Sequence, residues 1–318
     1  MLEEGVVDTN LKCSVLLDSF LEDVKSKTSS DNYRKTKYHI NNYIRPSIGQ
    51  RKINSLTTQQ LQSIIDLAFR TTNHKKDDKH ELSRKSLIGI RSTISAFLKY
   101  CRKQNITTLS GELLEIPKAA RYQTRQILQP DALKILFNVD TTLYRNKRIK
   151  DPNINAYRFA VLTGVRPGKL KGLEWTEIFD NSIHLTKSIN SWGEITSGKN
   201  ENAIRSITLS PLAQQVLKAQ FDDYYDNESN YVFPVGSTQY FLRRWKQYCI
   251  SNDIPTTTLY ELRHTFVSIA KSLPEGTVKS IVGHSKQMDT FGVYSHALTN
   301  DAEEVSTALQ VQFEKLLK

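Results

Sequence analysis

Apolar residues recur at helical spacing through the first hundred positions of the chain. Between residues 12 and 27, Val15, Leu16, Phe20 and Val24 line one side of an amphipathic helix. A Ser/Asp/Asn cluster at 29–32 can cap a second helix that carries Tyr33, Tyr38, Ile40 and Tyr43. That helix is expected to end before Pro46, because proline disfavours the α conformation in the residue ahead of it. Thr57 and Gln60 have the spacing of a capping box, and Leu61, Ile64, Ile65 and Phe69 follow as a buried stripe. Residues 71–83, TTNHKKDDKHELS, show no apolar period and read as an exposed loop. From residue 84, Leu87, Ile90, Ile94, Phe97, Leu98 and Cys101 fall on one face, while Arg84, Arg91, Lys99 and Arg102 project elsewhere. The pattern predicts a short extension over 1–10 and an all-α unit of four helices over 11–105.

Helical periodicity is lost between 106 and 128, where Pro117 and the basic stretch KAARYQTRQ read as a linker. Gln129-Pro130-Asp131 then makes a good helix entry and opens a second unit over 129–298. Helical stretches there alternate with the strand-like segments SIHLTKSI, EITSGK and AIRSITL, rich in Ile, Thr and Ser. In the tail over 299–318, Thr299 can cap a helix on which Val305, Leu309, Phe313 and Leu316 form a stripe. The expected architecture is therefore multidomain, an all-α N-terminal unit followed by a mixed α+β unit.

Composition narrows the function. The chain has 318 residues with 38% hydrophobic content, enough for real cores. No run of 18 or more apolar residues occurs and the first ten residues are acidic, so no membrane span and no secretory signal are expected. Three separated cysteines, Cys13, Cys101 and Cys249, make neither a disulfide framework nor a zinc pattern, which points to a reduced compartment. The net charge is +11, and residues 1–128 carry 22 Lys/Arg against 13 Asp/Glu, so most of the excess lies in the helical unit. Such a concentration of cations suits a polyanion, although many basic proteins bind no nucleic acid. Neither GxxxxGK[ST] nor GxGxxG occurs, leaving nucleotide hydrolysis and dinucleotide chemistry without support.

Three segments of the second unit are polar where a core would be apolar. VLTGVRPGKLKGLEW places Arg166 at a Gly-containing turn that opens a helix; TLYELRHTFVSIA places Tyr260, Arg263 and His264 ahead of an apolar run; VGHSKQMDTFGVYSH places His284 ten residues before Tyr294. Between the first two, ITSGKNENAIRSITL carries Lys199 and Arg205. Each alone has a plain structural explanation, such as an arginine holding a carboxylate or a tyrosine packed on the surface.

In this order the four segments resemble the boxes of the tyrosine recombinases, the phage integrase family: TGVRPGKL the first arginine box, SGKNENAIRSI the β-hairpin lysine, LYELRHTF the second arginine box, and GHSKQMDTFGVYSH the His-to-Tyr box. The resemblance covers about 190 residues; the helical unit matches the family's core-binding domain in size and position more than by motif. It implies a site-specific recombinase of a phage or conjugative transposon that cuts and rejoins DNA through a 3′-phosphotyrosine. Tyr294 would be the nucleophile, since a phenol can keep the phosphoryl group as an ester. Arg166 and Arg263 would grip the non-bridging oxygens bidentately, His284 and Tyr260 would donate to the same phosphate, and Lys199 would protonate the leaving 5′ hydroxyl. Arg84, Arg91, Lys99, Arg102 and Arg205 would contact the DNA backbone. No metal or other cofactor is implied. The implied partners are double-stranded DNA attachment sites and three further copies, in a homotetramer on two duplexes, with an accessory DNA-bending or excision factor. The implied location is the cytoplasm and nucleoid of a bacterial host. Relatives pass the C-terminal helix to a neighbouring protomer, and they commonly carry an N-terminal arm-binding domain; none is read before residue 10.

Lys169 stands three residues after Arg166, where the family usually has Glu or Asp, and Tyr260 stands where it commonly has His. The His-to-Tyr interval is one residue longer than its commonest form. These departures keep open a DNA-binding protein with an attenuated site, and the shared chemistry keeps open a type IB topoisomerase.

Overall fold

The computed structural model describes residues 10–70, 81–122, 124–196, 204–224, 229–283 and 301–318. The chain forms two compact units that divide between residues 124 and 125.

In the first unit, α1 (Cys13–Lys27) buries Leu16, Leu17, Phe20, Leu21 and Val24. Val15, expected inside, is 50% exposed because the buried arc centres one residue further on. The chain does not break before Pro46. Helix α2 (Ser30–His39) runs through a π turn (Ile40–Ile44) into α3 (Arg45–Ile48), with the Arg45 N–H reaching back to the Ile40 carbonyl. After that wide turn Pro46 lies in the first turn of a new helical register, where a missing N–H costs little. Helix α4 (Thr58–Arg70) starts at the expected reciprocal cap: Gln60 N–H donates to Thr57 Oγ1 at 3.3 Å, and Thr57 N–H donates to Gln60 Oε1 at 3.1 Å. Helix α5 (Arg84–Lys103) buries all six residues of its predicted stripe.

The expected linker is mostly not one. Ile106, Leu114, Ile116 and Ala120 are buried in the first unit's core. Gln62 exchanges hydrogen bonds with the backbone of Glu115, and the Arg84 N–H donates to the Arg121 carbonyl. Periodicity hid this because the segment packs as irregular chain, side chain by side chain, rather than as a helix face. Leu128 belongs to the core of the second unit.

That unit is built around α7 (Ile154–Thr163), nearly all of which is buried. Helices α6 (Pro130–Asn138), α9 (Pro211–Tyr224) and α11 (Leu259–Ile269) pack on it. Strands β1 (Thr141–Tyr144) and β2 (Lys147–Lys150) form an antiparallel hairpin that the hydrophobic pattern did not reveal. Its turn, Arg145-Asn146, has φ of 50° and 62°, the geometry of a type I′ turn reached without the usual glycine. The strand-like segments do form strands, β4 (Ser182–Leu185), β5 (Ser188–Ile189), β6 (Ile195–Thr196) and β7 (Arg205–Thr208). Strand β4 lies between β7 and the short β3 (Ile178–Phe179), which was not read from the sequence, in an antiparallel sheet, and β5 pairs with β6. Helices α8 (Pro167–Gly172), α10 (Thr238–Ser251) and α12 (Glu275–Val282) complete the unit together with α13 (Asp301–Leu317). Helix α13 docks on its own chain: Leu309 and Phe313 are buried in the core, and Gln310 Oε1 accepts the Leu212 N–H at 2.9 Å.

Candidate functional site

Two helix ends bring the first two arginine boxes together. Helix α7 closes at Gly164, which has φ +62°, and the chain turns so that Arg166 is the N-cap of α8, with Pro167 behind it. A side chain is excluded at Gly164 twice over. The left-handed backbone disfavours one, and a Cβ would stand 2.4 Å from the Phe266 ring. On the facing helix α11, Thr258 and Glu261 form a reciprocal cap, with Thr258 Oγ1 accepting the Glu261 N–H and Glu261 Oε2 accepting the Thr258 N–H. This cap sets the register that leaves Tyr260 43% exposed and Arg263 2% exposed. The short segment before α6 is fixed to the same helix through Gln126 N–H to Glu261 and Leu128 N–H to Thr265.

Three guanidiniums then converge on carbonyls that helix geometry leaves without partners. Arg263 donates to the Gly164 carbonyl at 2.8 Å and to Val282 at 2.7 Å; Arg166 donates to Val282 at 3.3 Å and Gly283 at 3.2 Å; Arg205 Nε donates to Ile281 at 2.8 Å. These oxygens lie at the C-termini of α7 and α12, where orphan carbonyls and the helix dipoles attract cations. Among the described residues no carboxylate pairs with any of the three. Burial and the neighbouring arginines pull Arg205 and Arg263 down to about 10, still cationic at neutral pH.

Lys169 adds a fourth cation. It lies on α8 with 4% exposure, and its Nζ has no hydrogen-bond partner. Burial, then Arg205, hold its ammonium down to about 8, against the pull of Glu177. Both terminal nitrogens of Arg205 are likewise buried and unpartnered. Each buried donor left in this way costs on the order of 1–3 kcal/mol, so the cluster is a place where the fold gives up stability.

Of the residues read from the sequence, the structure brings together Arg166, Arg263, Arg205 and Lys169, with the Tyr260 hydroxyl beside Arg263. The His264 ring stacks edge-on against Tyr260 at 5.2 Å. Lys199, His284 and Tyr294 lie outside the described residues. Arg205 stands within the guanidinium cluster rather than on an outer face. In the first unit Lys99 and Arg102 are exposed on α5. Arg84 and Arg91 instead point to the Pro117 and Leu114 carbonyls at 3.4 Å each, with Arg84 also over the Tyr122 ring. The backbone acceptors at 164 and 281–283 and the role of Glu177 were not read from the sequence. The only local signal for them was a glycine after each helix, in TGVR and VGHS.

Among the described residues no three His, Cys, Asp or Glu side chains gather as a metal would require. A partly buried cluster of three arginines and a lysine at two helix ends is suited to an anion. Residues 126–301 match the phage integrase family, and residues 14–67 match the phage integrase N-terminal SAM-like domain. The chain belongs to the phage integrase family. It is similar to the ICEBs1 integrase of Bacillus subtilis (strain 168), with 25% identity over 173 residues, 48% of this chain and 47% of that protein. The chain thus matches about half the length of that relative. A tyrosine recombinase XerC-like protein of Caldanaerobacter subterraneus subsp. tengcongensis is 22% identical over 297 residues, covering 82% of this chain and 72% of the relative. In fold, the chain resembles the Tn1549 transposon integrase in complex with transposon right end DNA. That match has a TM-score of 0.68 at 15% identity, over 92% of this chain and 98% of that one. It also resembles the lambda integrase in a tetramer bound to a Holliday junction, with a TM-score of 0.64 at 18% identity over 89% and 80% of the two chains.

Proposed function

We propose that this protein is a site-specific DNA recombinase that integrates or excises a mobile element through a covalent 3′-phosphotyrosine. The observation that carries the proposal is that Arg166 and Arg263 donate to one shared oxygen, that of Val282, so two planar forks lie within reach of one small anion. The Tyr294 phenol gives up its proton to solvent as it attacks the scissile phosphorus; the Tyr O–P bond forms while the P–O5′ bond breaks, and the 5′ oxygen leaves with a proton from Lys199. Arg166, Arg263 and His284 stabilise the charge that builds on the non-bridging oxygens, and the exposed Tyr260 hydroxyl donates to the same group. A 5′ hydroxyl of another strand then reverses the step. Lys99 and Arg102 meet the DNA backbone, whereas Arg84 and Arg91 serve mainly to hold residues 106–122. By analogy with the lambda integrase complex, four copies act on two duplexes.

A nicked suicide substrate carrying the mapped attachment site tests this reading. The wild type accumulates a protein–DNA adduct. Tyr294→Phe accumulates none, yet binds within a few tenths of a kcal/mol, because one oxygen and no packing volume is lost. Adduct formation by Tyr294→Phe at the normal rate would falsify the assignment. Relaxation of a supercoiled plasmid lacking any paired site would favour a topoisomerase. Absence of any adduct from the wild type would leave an attenuated DNA-binding protein.

A further inference from the structure

Beside Arg166 the cationic cluster continues into the fold, and no acceptor meets it there. Lys169 Nζ and both terminal nitrogens of Arg205 are shut off from solvent and lack hydrogen-bond partners. The charged groups facing Lys169 are Arg205 from β7, Glu177 from the turn that follows α8, and Arg166 from the start of its own helix. Glu177 faces Lys169 without bonding its Nζ; its carboxylate oxygens take the Thr186 hydroxyl and the Glu174 N–H instead. Strand β5, packed on α8, presents Ser188 Oγ and the Ile189 carbonyl against Gly168, and neither is ionisable. The nearby Lys187 is paired with Glu174, and Arg158 of α7 is paired with Asp140. Buried donors grouped among cations, with no acceptor, make an arrangement that an anion completes.

We propose that Lys169 and Arg205 form an inner oxyanion pocket beside Arg166, that it takes one non-bridging oxygen of a phosphodiester, and that Lys169 gains a proton from solvent as the pocket fills. The pocket rests on the phosphoryl-transfer reading above and adds to it two ligands and one proton. With the pocket empty, burial and the two arginines favour the neutral amine, and Lys169 titrates at about 8. A negative oxygen at the same place reverses the sign of the electrostatic work, so the amine binds H⁺ from water to become an ammonium ion. Arg205 stays charged throughout, and no bond in the ligand breaks.

Linkage fixes the pH dependence. The ammonium fraction of the empty site falls about tenfold between pH 7 and pH 9, so anion affinity falls about tenfold over the same interval. Sulfate is the probe, because its charge is constant over this range. Calorimetric titration of the full chain at fixed ionic strength, in two buffers of different protonation enthalpy, reads affinity and proton uptake together. The expected result is binding about tenfold weaker at pH 9, with uptake of close to one proton there and about a tenth of one at pH 7. Lys169→Met, of similar length, loses both effects. Arg205→Lys binds more weakly at both pH values and keeps the proton uptake. Equal sulfate affinity at pH 7 and 9 in the wild type, without proton uptake, overturns the pocket and needs no variant to fold. Undiminished uptake by a folded Lys169→Met overturns it as well. The two proposals fail separately: a protein that forms the DNA adduct but binds sulfate independently of pH keeps the recombinase reading and loses the pocket. One that binds sulfate with proton uptake but forms no adduct keeps the pocket and loses the recombinase reading.

Discussion

Replacing Gly164 with alanine perturbs the point at which α7 ends and the arginine cluster begins. Two costs add. Alanine at φ +62° pays about 1–2 kcal/mol for the left-handed backbone. The new methyl group lies 2.4, 2.9 and 3.1 Å from three atoms of the Phe266 ring, which is fully buried and has no room to withdraw, adding about 1–3 kcal/mol of overpacking. The sum is about 2–5 kcal/mol. The Gly164 carbonyl is also an Arg263 acceptor, so relief by backbone movement comes at the expense of the site. All three tryptophans, Trp175, Trp192 and Trp245, lie in the second unit, so their fluorescence during urea unfolding follows that unit alone. With an m-value of about 2 kcal/mol/M the midpoint falls by about 1 M or more. Phe266→Leu in the Gly164→Ala background restores part of the loss, because it removes the steric share and leaves the backbone share. A loss under about 1 kcal/mol, or no coupling between the two substitutions, would refute this account of the turn.

Other substitutions test other parts of the structure. Phe313→Ala empties a fully buried site under α13 and is expected to cost about 3–5 kcal/mol in the same unfolding assay; a cost under 1 kcal/mol would mean that the helix is not docked on its own chain. Deleting residues 300–318 should for the same reason lower the unfolding midpoint of the second unit; an unchanged midpoint would count against docking on its own chain. Lys169 binds its proton more weakly folded than unfolded, so the unfolded chain holds more protons between pH 8 and about 10.5 and stability rises with pH across that window. Lys169→Met should therefore be more stable than wild type below pH 8, by up to about 3 kcal/mol, and the gap should close towards pH 10.5; a gap independent of pH argues against a buried, unpaired amine. Lys169→Glu puts a carboxylate where the pocket takes a phosphodiester oxygen, and is expected to slow single-turnover cleavage and weaken anion binding at matched salt; a faster enzyme would show that Lys169 does not face the phosphate and would count against the pocket.

The sequence by itself determined most helices of the first unit and the strand segments around Lys199. Six apolar residues on α5 came out buried because a 3.6-residue period leaves only one face to cover, and the Thr57/Gln60 cap formed because it needs only residues three apart. The strand segments were legible from their β-branched content, and the arginine boxes from their residues and order. Tertiary structure decided what depends on distant partners. Residues 106–122 have no period, and only packing joins them to the first unit, with Arg84 and Arg91 turned to their carbonyls. Pro46 stays within a helix because a π turn resets the register before it, and the Arg145-Asn146 turn adopts left-handed angles without glycine. Above all, the convergence of Arg166, Arg205 and Arg263 on residues 281–283 joins side chains up to about a hundred positions apart. No local pattern encodes it, because the acceptors are backbone carbonyls that every residue carries, and only the meeting of two helix ends leaves these particular ones open.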